Sequence, residues 1–165
     1  NTPQDRTRRG GLAMRRLMLL ICLLITPLAH AQLIEPEARY LPEEVVQLVL
    51  TAMQTNDAPY PNAGVEQAFY FASPKNKRAT GPLWHFTAIV TQPQYAPLLN
   101  HRSRQIGQPE RSDDGMTVPV IVIGEQGQVA GYLWRLSRQT DAPFDGFWMT
   151  DAVIPVELDQ SMRGL

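Results

Sequence analysis

The sequence predicts an α+β fold, with N-terminal helices packed on a curved antiparallel sheet of about four strands. Three observations predict it. Apolar residues at helical spacing (Val45, Val49, Ala52, Met53) occur before residue 97. Beyond Pro97 the chain turns to extended, β-branched runs, above all Val118, Val120, Ile121, Val122 and Ile123. These runs follow one another through short polar turns, which makes consecutive strands antiparallel neighbours. The order suits a curved sheet wrapped over one long helix. With 44% apolar and 19% charged residues in 165, and no internal repeat, the composition is that of one ordinary globular domain.

Pro42 suits a first helical turn, where its missing N–H is not needed, and Glu43 and Glu44 complement the helix dipole. A helix is predicted from Pro42 to Thr55, ended by Asn56-Asp57 with Pro59 and Pro61 beyond. A short second helix fits Asn62–Tyr70, with Val65, Ala68 and Phe69 inward. Ser73-Pro74 breaks it, because a residue before proline avoids the helical region. Lys75, Lys77 and Arg78 then read as a solvated loop. Thr80-Gly81-Pro82 opens a further helix, with Leu83, Phe86, Ile89 and Val90 on its apolar face and Pro93 stopping it. The predicted strands are Leu98–Gln108, Thr117–Gly124, Val129–Gln139 and Gly146–Val156. Glu110–Gly115 reads as a polar turn and Glu125-Gln126-Gly127 as a hairpin turn. Pro119 is an oddity in a central strand, since it cannot donate to a ladder, and suggests a bulge.

The N-terminus follows a different pattern. Arg15-Arg16, the apolar Leu17–Leu28 and Ala29-His30-Ala31 supply the three parts of a secretory signal peptide. Residues 1–31 are therefore expected to be a leader, with Met14 a natural start, cleavage between Ala31 and Gln32, and a periplasmic or secreted product. The apolar stretch is too short to span a bilayer comfortably, so no stable membrane insertion is expected after processing. Residues 32–40 read as a linker, 41–156 as the domain and 157–165 as a tail. The full chain has 15 bases and 16 acids; the leader takes five arginines and Asp5, leaving ten bases and fifteen acids, a net of −5. A mildly acidic domain is poorly suited to nucleic acid. Cys22, the single cysteine, lies in the leader, so the domain has no disulfide and no thiolate site. With only His85 and His101 in the domain, no metal is expected, and no cofactor motif is present.

Several separated motifs carry a resemblance. They are Phe71-Ala72-Ser73-Pro74-Lys75-Asn76, Thr80-Gly81-Pro82-Leu83, the run Tyr95-Ala96-Pro97-Leu98-Leu99-Asn100-His101-Arg102, and Gly146-Phe147-Trp148-Met149-Thr150. At these the chain resembles the bacterial and plant DUF4864 family, from about Leu41 to Val156. Members usually have glycine where this chain has Asn100. The resemblance implies a cystatin-like or SnoaL-like cone and brings no established activity or catalytic residues.

Candidate chemistry is therefore read from the residues. Asp151 is an acid inside the apolar run Phe147–Ile154 and is the base candidate; Tyr70, Tyr95 or Tyr132 would serve as an oxyanion donor. The alternative is a surface acid, or one paired with Arg102 or Arg135. His101 and Arg102 could hold a carboxylate or polarise a carbonyl, but neighbours on a strand face opposite ways. The alternative is that His101 bonds the Phe71–Asn76 loop and Arg102 pairs with an acid. Ser73 lacks the context of a nucleophile and reads, with Thr80, as a turn or cap donor. Trp84, Trp134 and Trp148, with Phe69 and Phe86, read as core. Arg102, Trp134, Trp148 and Tyr95 are the ligand-binding candidates should a pocket exist. The leading functional expectation is an exported, non-enzymatic domain binding a small apolar ligand or a protein partner. The alternative is a SnoaL-like lyase, isomerase or hydrolase acting on a small apolar substrate; a homodimer through the sheet is a third reading.

Overall fold

Helix α1, Pro42–Gln54, is the element over which the sheet closes. It starts as its sequence dictates: Pro42 occupies the first turn, and the Glu44 carboxylate accepts the Leu41 N–H at 2.8 Å. Its inward residues Val45, Val46, Val49 and Leu50 are 0–1% exposed. The structure, a computed structural model, describes residues 33–158. The predicted leader lies outside them. Among the described residues no helix is long and apolar enough to cross a membrane.

Three shorter helices follow, α2 (Ala63–Tyr70), α3 (Pro74–Thr80) and α4 (Leu83–Val90), then a 3-10 turn at Ala96–Leu98. The strands are β1 (Ser103–Ile106), β2 (Glu110–Ser112), β3 (Gly115–Ile123), β4 (Val129–Arg138) and β5 (Trp148–Val156). The named strands pair antiparallel, in the order β1-β3-β4-β5, with β2 beside β1 along the same edge of β3. The described residues thus form an α+β domain of four helices on an open five-stranded sheet. Val118, Val120 and Val122 of β3 alternate inward with Tyr132, Trp134 and Leu136 of β4, and all are at most 2% exposed. This period-2 face meets α1 to form the core.

Four local expectations are corrected. Pro74 ends one helix and begins another: Ser73 is extended and its Oγ accepts the Asn76 N–H at 3.1 Å, an N-cap with proline in the first turn. The residues read as a solvated loop therefore form α3. The turn at Glu110–Gly115 is shorter than predicted, because Glu110–Ser112 pair with β3. The first strand begins at Ser103 rather than Leu98, the preceding residues being taken up by the 3-10 turn. Pro119 does not mark a bulge. Its carbonyl accepts the Gly107 N–H at 2.8 Å, so its nitrogen faces the same edge, into the break between β1 and β2, where no ladder donor is required.

One tryptophan also departs from expectation. Trp84 is 72% exposed, because the inward face of α4 is carried by Phe86 and Val90. Asn100 sits at φ +52°, a left-handed conformation that asparagine tolerates better than other non-glycine residues. Its side chain is also used: Oδ1 accepts the Asn56 N–H at 3.0 Å and Nδ2 donates to Asp57 at 2.9 Å. These bonds tie the end of α1 to the segment that enters the sheet.

Candidate functional site

The irregularity in the sheet lies on β5. Arg135 pairs with Ala152 and Leu136 pairs with Thr150, so Asp151 is an extra residue with no partner on β4. A bulge of this kind bends the strand and re-aims a side chain. Here it lies where the α2–α3 junction is clamped to the sheet edge. The Ser73 N–H donates to the Thr150 carbonyl and the Thr150 N–H donates to the Phe71 carbonyl, both at 2.8 Å. The Asn76 amide donates to the same Thr150 carbonyl at 3.1 Å, and the Trp134 indole N–H donates to the Thr150 hydroxyl at 3.0 Å. The Ser73 hydroxyl donates to Asp151 Oδ1 at 2.6 Å, a short bond of the charge-assisted kind.

Beside this clamp lies a cavity of about 230 Å³ between the helices and the inner side of β5. Its walls are mainly apolar or aromatic, including Met53, Phe86, Val90, Tyr95 and Trp134. Asn76, Thr80, Thr150 and Asp151 provide its polar lining, and Asp151 is the acid among the residues that line it. A wider groove of about 580 Å³ lies outside, between the start of α1 and Gly107–Pro109, with Glu43 and Glu44 on its wall. It is a more open surface feature than the inner cavity.

The structure brings some of the sequence-derived candidates together and separates others. Asp151, Tyr95 and Trp134 line the inner cavity. His101, Arg102, Tyr70, Tyr132 and Trp148 do not. His101 is 2% exposed; its Nδ1 lies 2.8 Å from the Leu98 carbonyl and its Nε2 3.4 Å from the Arg104 guanidinium. It does not bond the Phe71–Asn76 loop. Burial pushes the His101 imidazole below its ordinary pKa, with Arg104 adding to the effect against the Leu98 hydrogen bond. Arg102 is exposed, and both residues precede the strand that begins at Ser103.

Arg102 and Arg135 form no ion pair with Asp151; among the described residues the salt bridge is Arg39–Glu37. Arg104 donates to Gln54 and Thr51 at the end of α1. Tyr70 ends α2, 37% exposed. The Tyr132 hydroxyl donates to the Gln94 carbonyl at 2.9 Å, and burial raises its pKa far above the usual phenol range. Trp148 packs, half-buried, against the core. No cluster of potential metal ligands occurs among the described residues.

Asn76 and Thr150 escaped the list of candidate residues. Both stood within the motifs that identify the chain, but their importance comes from hydrogen bonds 74 residues apart in sequence. The visible signal was Ser73-Pro74 with a side-chain amide two residues beyond.

Fold and site together define a small α+β domain whose apolar cavity is entered by one carboxylate held on a strand bulge. The chain belongs to the DUF4864 family: the family model, described as a domain of unknown function, matches residues 38–162. Nothing matches it among curated proteins or solved structures.

Proposed function

We propose that this is an exported, non-enzymatic binding protein for a small, largely apolar molecule. The cavity of about 230 Å³ carries this reading. An apolar engineered cavity of roughly 150 Å³ accommodates benzene, so this volume suits a single substituted ring or an aliphatic body of that size. Apolar walls supply affinity, and a few placed polar groups supply orientation. Export rests on Arg15-Arg16, Leu17–Leu28 and Ala29-His30-Ala31, which give a periplasmic or secreted product beginning at Gln32.

Binding of toluene and cyclohexanol, followed by perturbation of amide and indole resonances of the processed protein, tests the reading. Both probes are expected to perturb the Trp134 indole. Val90→Phe, which fills the cavity, and Ala79→Trp, at its lining on α3, are expected to abolish the effect. No perturbation at millimolar probe, or perturbation unchanged in both variants, overturns the reading. Sequencing the N-terminus of protein recovered from a bacterial periplasm or medium tests export, with Gln32 the expected first residue.

One observation favours an enzyme as the second reading. The bulge turns Asp151 toward the cavity beside the Ser73 hydroxyl, as a general base for a small apolar substrate requires. That reading predicts a cavity-bound compound consumed at a rate that Asp151→Asn abolishes. A bound compound recovered unchanged supports the binding reading.

A further inference from the structure

We propose that the cavity selects a small apolar molecule carrying an ammonium group, an alkyl or arylalkyl amine, whose charge is held by Asp151. The inference rests on the binding reading above and names the ligand class for that same cavity. Its first support is the way polar groups along the cavity are already occupied. The Asn76 amide donates to Thr150 O, the Thr80 hydroxyl to Asn76 O, the Trp134 indole to the Thr150 hydroxyl, and the Ser73 hydroxyl to Asp151 Oδ1. Three of these donors serve the clamp, and the Thr80 hydroxyl bonds back within α3. Among the described residues, Ser73 is the hydrogen-bond partner of the Asp151 carboxylate, and it engages one oxygen. The one charged group of the lining is therefore an acceptor that calls for a donor, with the Tyr95 and Thr150 hydroxyls as neutral groups beside it.

The second support is charge. No described Lys or Arg forms a salt bridge with Asp151. On α3, whose cap residue Ser73 bonds the carboxylate, Lys75 and Arg78 are exposed, and the Lys77 ammonium sits 5.0 Å from the centre of the Phe69 ring. A carboxylate beside an apolar cavity gains most from a mobile cation brought by the ligand, since a paired charge is far better tolerated there than a lone one. The third support is the wall itself. Phe86, Tyr95 and Trp134 present aromatic surface to the same cavity, and aromatic faces attract alkylammonium groups. A carboxylate together with aromatic walls suits a cation; an anion would meet repulsion from Asp151.

Two probes of the same skeleton separate the ligand class from simple cavity binding: 2-phenylethylamine and 2-phenylethanol. Their affinities for the processed protein are measured by calorimetry at neutral pH, where the amine is charged. The amine is expected to bind about tenfold tighter or better, since a charge-assisted bond worth about 1.4 kcal/mol more corresponds to that ratio. Asp151→Asn, which keeps the shape and an acceptor for Ser73, is expected to bring the two affinities together by weakening binding of the amine. Equal affinities in the wild type, or a preference that survives Asp151→Asn, overturn the amine assignment and leave the cavity reading standing. If neither probe binds, both readings fail. Should Asp151→Asn not fold, the wild-type comparison decides, with Val90→Phe and Ala79→Trp confirming that the cavity is the site.

Discussion

Replacing Ser73 with alanine should cost this domain far more than a hydroxyl on a short connection usually would. Two independent bonds leave one oxygen: Ser73 Oγ accepts the Asn76 N–H that caps α3 and donates to Asp151 at 2.6 Å. Loss of an N-cap side chain costs roughly 1 kcal/mol. Loss of a hydrogen bond to a charged group costs about 1.5–3 kcal/mol. Ser73 is 0% exposed, so water cannot replace either bond without the junction opening. The sum is about 2–4 kcal/mol, and with an m-value near 2 kcal/mol/M the urea midpoint should fall by about 1–2 M. A double-mutant cycle then separates the parts. In an Asp151→Ala background the bond to the carboxylate is already gone, so adding Ser73→Ala should cost only the cap, roughly 1 kcal/mol. The two single changes should therefore sum to more than the double change. Additivity within about 0.5 kcal/mol, or a cost for Ser73→Ala below that figure, would refute the coupling of α3 to the bulge through this oxygen.

The buried His101 predicts a pH dependence of stability. Its folded pKa lies below the unfolded value of about 6.5, so its contribution is fully present above that pH and is lost as pH falls toward the folded pKa. Between about pH 7 and pH 5 the slope from this one proton can approach, but not exceed, about 1.4 kcal/mol per unit; urea titrations of His101→Gln should show a flatter profile there, and an unchanged slope would count against the assignment. Position-specific packing predicts a contrast between Gly64 and Trp84. A methyl at Gly64 would run into the Ala52 carbonyl, so Gly64→Ala should destabilise by about 1–3 kcal/mol, whereas Trp84→Ala, at 72% exposure, should stay within about 0.5 kcal/mol. Thermal or urea denaturation of both variants checks this, and a larger cost at Trp84 would contradict the packing described for α4.

The fold class was legible because it rests on signals local to a few residues. Proline and acids at Pro42–Glu44 mark the start of α1, and the β-branched run in β3 marks a central strand whatever surrounds it. The order of those signals made α+β the natural arrangement. Ser73-Pro74 was legible only by half. The same dipeptide that ends one helix caps the next, and sequence periodicity over seven residues is too short to decide. Trp84 was misplaced because an aromatic residue on a short helix reads as core until the neighbouring elements show which face is covered.

The site depended on the tertiary structure almost entirely. Asp151 attracted attention as an acid in an apolar strand, but regular alternation cannot announce one extra residue that turns it toward the helices. That turn is set by β4–β5 pairing and by the clamp from Ser73, Asn76 and Trp134, which come from distant parts of the chain. His101 shows the converse: its chemistry was plain in the sequence, yet Leu98 and Arg104 absorb it in a buried structural contact. The sequence by itself determined the α+β class, most of the helix and strand positions and the family, because these follow from short-range propensity and pattern. Tertiary structure alone decided that a cavity exists and that Asp151 lines it, because a cavity is bounded by residues that only folding brings together.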